Sequence, residues 1–306
     1  MTVVSALILG KEIDKKNSGE LFIADERVTG GPIPHRVSDI APEKLFQIDD
    51  CYCLGASGSV SILYQTLEKL KTDMKQTEPK KASDIEQLII KCNRYALDRV
   101  AEELVLNPNH VTWEELKSGA IKDEMFKGKV MSELDRFNRD LSRTGFIAGG
   151  KLKEDNEYRL SAIYGTKGMG SPYYSIGAGA EGADVVIRSY LQRMKREDRK
   201  SIPLTLGTRI LLESTQAAWG DEGVGGAGQI VHLNKEGYHE LDTDEIKLLH
   251  SLIYSEKIGM LKKDETNMYI SDVMAGTKAE EIFNKLFEKI DPKIVSRAYW
   301  LESLKN

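Results

Sequence analysis

The hydrophobic period of this chain changes abruptly at Gly58, and that change limits the folds open to it. Before Gly58 the sequence reads strand after strand, at residues 2–9, 21–28, 44–48 and 52–56, parted by turn-forming runs at 15–19 and 30–32. After it, Val60, Leu63, Leu67 and Leu70 keep one helical face apolar. Ile85, Leu88, Ile89, Cys92, Ala96, Val100 and Leu104 do so again until Asn107-Pro108-Asn109 interrupts. Shorter helical stretches follow at 112–116 and 124–141, then strands at 144–149, 158–164 and 173–176. Helices return at 181–194 and 203–219, a strand at 228–233 leads into a turn at 234–237, and the remainder reads as helices at 243–254, 278–290 and 293–304. Strands grouped with strands and helices with helices exclude the alternating order of a doubly wound parallel sheet. The pattern predicts an α+β fold, a four-layer αββα sandwich of two sheets with helices outside them.

Composition fits a self-sufficient core: 306 residues, 41% hydrophobic, 30% charged and only 8 prolines. Basic and acidic side chains, 43 against 48, are interspersed and leave a net charge of -5, so nucleic acid is not an expected partner. The apolar stretch at 3–9 is broken by Ser5 and followed by Gly10-Lys11-Glu12, with no basic residue before it. It reads as neither signal peptide nor membrane helix, and a cytoplasmic location with no membrane partner is expected.

Other motifs are explained more simply by structure than by ligands. Gly177-x-Gly179-x-x-Gly182 matches a dinucleotide fingerprint, but a charged run and another helix follow where a second strand should stand, so a tight strand-to-helix turn accounts for it. The glycines at 223–228 run into a strand rather than a Lys-Ser/Thr helix. His35, His110, His232, His239 and His250 lack ligand spacing, and His232 and His239 flank a hairpin turn, which suggests surface or cross-strand roles. Three cysteines cannot build a disulfide framework, and Cys51 and Cys53 read as one face of a buried strand. No metal and no cofactor is expected.

Position 2 carries the candidate chemistry. Removal of Met1 is favoured by a small second residue and would expose Thr2, with a hydroxyl and a free amine on one residue. An α-amino group has a pKa of roughly 7.7–8.0, so near neutral pH it can take the hydroxyl proton directly or through water.

Three blocks in the first 60 residues set Thr2 in a wider pattern: Leu21-Phe22-Ile23-Ala24-Asp25-Glu26-Arg27-Val28-Thr29, Glu43-Lys44-Leu45-Phe46-Gln47-Ile48-Asp49 and Ser57-Gly58-Ser59-Val60. With Tyr174-Ser175-Ile176-Gly177-Ala178-Gly179-Ala180 and the 218–226 segment around Asp221, the chain resembles proteasome β-type subunits, a branch of the amino-terminal nucleophile (Ntn) hydrolases. The resemblance implies that Thr2 is the nucleophile, its amine the proton shuttle, Lys44 the cation that favours the alkoxide-like hydroxyl, and Asp25 the partner that keeps Lys44 charged. It implies Gly58 as backbone oxyanion donor and Asp221 as the group orienting the amine. Thr29 would bind the substrate main chain as an added strand, with Val28, Ala56 and Val60 lining a pocket for a small or apolar side chain.

Two positions depart from the family: Ala178 and Val224 stand where it usually has serines that help settle the amine. The expected activity is that of a threonine-type peptidase or amidohydrolase acting through an ester on Thr2. A peptide ligase or transpeptidase using the same acyl-enzyme, and a non-catalytic assembly protein, are the alternatives. Peptide or protein substrates and a homo-oligomer, ring-like as in the family, are implied. The resemblance assigns residues 1–254 to the sandwich, with a helical insertion at about 107–142, and leaves 255–306 as a helical extension. The apolar stripe of that extension, Ile282, Phe283, Leu286, Phe287 and Ile290, must be buried on the sandwich or on a partner.

Overall fold

The computed structural model describes residues 3–10, 19–25, 28–29, 37–38, 43–141, 144–164, 167–219 and 228–289. Twelve strands occur among them: β1 (Val3–Ile8), β2 (Glu20–Ala24), β3 (Val28–Thr29), β4 (Val37–Ser38), β5 (Leu45–Asp49), β6 (Tyr52–Ser57), β7 (Gly145–Gly150), β8 (Arg159–Tyr164), β9 (Lys167–Gly170), β10 (Tyr173–Gly177), β11 (Gln229–Asn234) and β12 (Gly237–Glu240). The α-helices are α1 (Val60–Thr77), α2 (Ala82–Ala101), α3 (Trp113–Ser118), α4 (Glu124–Leu141), α5 (Ala180–Arg193), α6 (Leu204–Ala218), α7 (Thr243–Lys257), α8 (Lys263–Met274) and α9 (Ala279–Lys289).

Two antiparallel sheets carry the fold, one ordered β10-β1-β2-β11-β12 and the other β5-β6-β7-β8-β9. Strand alternation divides their side chains between two environments. Leu7, Leu21 and Ile23 point toward a cluster with Ile187 and Leu191 of α5 and Leu211 and Leu212 of α6. Val4, Ala6, Phe22 and Ala24 face Leu45, Cys53 and Ile147 of the second sheet. On that sheet's other side Leu54, Ala56 and Phe146 pack against Leu63 and Leu67 of α1 and Ile85, Ile89 and Cys92 of α2. Glycine sets the spacing between the sheets: a Cβ on Gly55 would stand 2.6 Å from a Val4 methyl.

Helices α8 and α9 extend the first helical cluster. Tyr269, Ile270, Val273, Ile282 and Leu286 are buried with Leu249, Leu252 and Ile253 of α7, so this part of the stripe is covered by the chain itself. A buried Arg209 on α6 reinforces the joint. Its guanidinium makes a bidentate pair with Glu256 of α7 at 2.6 and 3.0 Å, and donates to Asn267 of α8 and to Glu213.

Several element boundaries differ from those read off the sequence. The second strand ends at Ala24, where Asp25 turns to other partners, and only β3 continues the expected 21–28 run. β9, β12 and α8 carry too few periodic apolar positions to be visible as pattern. Cys51 sits half-buried in the turn before β6, while Cys53 is buried within it, so the two do not share a strand face. The helix read at 293–304 lies outside the described residues. Among the described residues no helix is long and apolar enough to cross a membrane.

His232 and His239 face each other across the β11–β12 pair. Burial, and then the neighbouring His239, depress the His232 ring to about 4 from an ordinary 6.5. Between those values the unfolded chain binds the extra proton. Stability is therefore full above pH 6.5 and falls, by up to roughly 3 kcal/mol, as pH drops to 4. A His232→Leu variant should shrink the stability difference between pH 7.5 and 4.5 by roughly 2 kcal/mol in urea titrations; an unchanged difference would contradict this assignment.

Candidate active site

Strand register gathers Val3, Asp25, Lys44 and Gly58 at one end of the two sheets. β1 runs antiparallel to both neighbours, so Val3 pairs with Gly177 at the end of β10, and Val4 with Ala24 at the end of β2. β5 runs antiparallel to β6, so its first residues lie beside the last residues of β6: Leu45 pairs with Gly55, and the Lys44 carbonyl accepts the Ala56 N–H at 2.9 Å. The ends that meet belong to different sheets, and the side chain that spans them is Lys44.

Asp25 is the hub. Its Oδ1 accepts a hydrogen bond from Lys44 Nζ at 2.8 Å and another from the Val3 backbone N–H at 2.8 Å, while its own N–H donates to the Val3 carbonyl at 3.1 Å. Both charged residues are buried, with Asp25 2% and Lys44 5% exposed. The Val3 N–H belongs to the peptide group that joins it to residue 2. Ammonium and peptide nitrogen share one acceptor oxygen, so they are at most two hydrogen-bond lengths apart. A cation is thereby fixed close to the Val3 N–H, in a buried setting where its field is strong.

Gly58 occupies the turn from β6 into α1. Its φ of 117° lies where side-chain-bearing residues rarely go, and a Cβ there would stand 2.5 Å from Thr144 Cα. Thr144 closes the same turn by accepting the Ser59 N–H on its hydroxyl at 3.1 Å. With the Ser59 N–H engaged by Thr144, Gly58 immediately precedes the N-cap of α1, near the positive end of that helix.

The remaining expected residues divide. Ala56 is buried among Leu63 and Phe146 in the sheet–helix core, and Val60 is 42% exposed at the start of α1. Val28 and Thr29 form β3, whose backbone pairs with Val37 and Ser38. Thr2, Asp221 and Val224 lie outside the described residues. The Gly177-Ala178-Gly179 turn is the β10-to-α5 junction beside Val3 in an antiparallel sheet, where Gly177 has a φ of 98°. That conformation fits a tight-turn origin for the glycine motif.

Three contributors escaped the sequence reading: Thr144, Gly228 and Gln229. Gly228 lies against the end of β2, where a Cβ would stand 1.8 Å from the Ala24 carbonyl oxygen. Gln229 follows it and reaches Lys44 and Leu45. Nothing local in sequence marks a Thr or a Gln for such contacts; only Gly228, last of a glycine-rich run, gave a signal.

No family model and no curated protein matches the sequence. The α+β arrangement, two antiparallel sheets with helices, is consistent with a proteasome-like Ntn fold. Among solved structures the chain is similar to an Anbu (Gly-1) mutant from Hyphomicrobium sp. strain MC1, with a TM-score of 0.52 and 14% identity over 95% of this chain and 98% of that one. At that identity the likeness is one of fold.

The Gly58 turn yields a direct test. Gly58→Ala should cost about 2–4 kcal/mol in thermal or urea unfolding, because strain and collision add. Gly119, also at positive φ but with open space around it, is the control, and Gly119→Ala should cost about 1 kcal/mol. Equal costs would show that Thr144 yields to the added methyl.

Proposed function

We propose that this chain is a threonine-type amidohydrolase, most simply a peptidase, working through an acyl ester on Thr2 after removal of Met1. The observation that carries the reading is the buried Asp25 carboxylate that holds Lys44 and the Thr2–Val3 peptide N–H on one oxygen. The N–H serves the buried ion pair by filling a carboxylate lone pair, and at this position it also sets the Lys44 cation beside the peptide that leads to residue 2, where a nucleophile would use it.

In the proposed reaction the Thr2 hydroxyl attacks a substrate carbonyl while the α-amine accepts its proton. Lys44 lowers the cost of the developing alkoxide. The Gly58 N–H donates to the oxyanion, and collapse of the tetrahedral species expels the amine product, which takes the proton from the Thr2 ammonium. Water then attacks the ester with the same amine as base. Asp221 would orient the amine, Thr29 would pair with the substrate main chain, and Val28, Ala56 and Val60 would set a preference for small or apolar side chains. The wider reading includes a four-layer αββα sandwich over residues 1–254 with an insertion at about 107–142, a helical extension at 255–306, and a cytoplasmic homo-oligomer acting on peptides or proteins.

Intact-mass measurement with a threonine-directed electrophile tests it. The purified protein should lack Met1 and gain one adduct at Thr2, Thr2→Ala should gain none, and Lys44→Ala should label at least about 100-fold more slowly. Retained Met1 with no adduct would overturn the proposal, and full-rate labelling of Lys44→Ala would remove Lys44 from it.

A further inference from the structure

Lys44 reaches Asp25 from a chain bend that a side chain of the opposite sheet holds in place. In an extended strand consecutive N–H groups point to opposite sides. At the entry to β5 they do not: the Lys44 and Leu45 N–H groups both donate to Gln229 Oε1, at 2.8 and 3.0 Å, with the chain bent at Lys44. Gln229 begins β11 and pairs with Ala24, the residue before Asp25. The residue shaping the bend is therefore built onto the same strand end as the carboxylate that Lys44 must meet.

The amide is itself oriented. Its Nε2 donates to Glu240 Oε1 on β12 at 3.0 Å, which presents the carbonyl oxygen, not the NH2, to the bend. The other Glu240 oxygen faces the Tyr238 hydroxyl at 3.4 Å. On its far side Lys44 is tied to β6 through its carbonyl and Ala56. Its backbone is thus gripped from both sheets, and the side chain leaves in one direction, into the buried gap at Asp25. Without the Gln229 oxygen two adjacent N–H groups at a partly buried bend would lose their acceptor. Straightening into regular strand would turn them apart and swing the Lys44 side chain with them.

We propose that Gln229, oriented by Glu240, is a positioning residue that aims Lys44 at Asp25 and so at Thr2. The catalytic part of this statement rests on the reading of Thr2 and Lys44 given above; the aiming of Lys44 does not.

Two measurements on full-length protein separate those parts. The first is acylation of lysines by a small amine-reactive ester, mapped by mass spectrometry. Lys44 should be protected in the native chain and become at least about tenfold more reactive in Gln229→Leu. The second is the rate of electrophile labelling at Thr2, which should fall at least about tenfold in the same variant. The exchanged pair Gln229→Glu with Glu240→Gln restores an acceptor for both N–H groups and a donor for its orientation. It should return both readouts to within about threefold of the native chain, which a general loss of stability would not allow, and it serves as the folded comparison should Gln229→Leu fail to fold. Protected Lys44 in Gln229→Leu, or no recovery in the exchanged pair, would overturn the proposal. If the native chain shows no adduct at Thr2 while Lys44 reactivity follows Gln229 as described, the aiming stands and the catalytic reading falls.

Discussion

A single carboxylate oxygen, Asp25 Oδ1, ties the two sheets to the beginning of the chain, and much of the architecture can be understood as what makes that contact affordable. Burying an ammonium and a carboxylate costs several kcal/mol per ion before their attraction is counted, and the pair is favourable only when geometry is close and remaining lone pairs are used. Closeness comes from the glycines of the inter-sheet layer. Gly55 admits the Val4 methyl, and Gly149 admits Phe22, whose ring would lie 2.8 Å from an added Cβ. Larger residues at either position would hold the sheets apart and stretch a buried 2.8 Å ion pair.

The same strand shows the opposite solution to the same problem. Glu20, Phe22 and Ala24 lie on one face of β2, turned toward the second sheet. Glu20 is fully buried, and among the described residues neither of its side-chain oxygens has a hydrogen-bond partner. Burial pushes its carboxyl well above the usual range, which favours the uncharged form. One end of β2 gives its carboxylate a cation and an N–H, while the other end leaves its carboxyl without a hydrogen-bond partner among the described residues. The contrast lies in the partners: the carboxyl at the Asp25 end is fully engaged across the two sheets, and the one at the Glu20 end is not.

What the sequence made legible follows the range of the forces involved. The switch at Gly58 was readable because a period-2 run and a period-3.6 run abut there, and the strand-to-helix turn has the residue its φ demands. Asp25 and Lys44 were legible only through the resemblance to the proteasome β-type pattern; spacing alone does not say that residues 25 and 44 touch. Gln229 and Thr144 were not legible at all, since a polar residue that accepts backbone N–H groups 85 or 185 positions away leaves no local periodicity. The same reason hid α8, whose core contribution is the one-turn cluster Tyr269, Ile270 and Val273, and the short strands β9 and β12, which pair but hardly pattern. Cys51 misled because strand alternation was extended one residue too far, into the turn that starts β6.

The helical additions bear on the site through the first sheet. The layer that covers β1 and β2 is one continuous apolar cluster running from Leu7, Leu21 and Ile23 through α5, α6 and α7 to Ile282 and Leu286 of α9. Arg209 pins its middle, with Glu256 and Asn267 drawing α7 and α8 onto α6, and α6 ends at Ala218, which is buried against Val3. Val3 is the residue whose N–H meets Asp25. A helix that reaches the first residue of β1 at one end and is held by α7 and α8 through Arg209 gives those helices a mechanical path to Val3 and the Asp25–Lys44 pair. Holding α6 fixes one wall of the pocket into which Val3 packs, and with it the N–H that Val3 offers to Asp25.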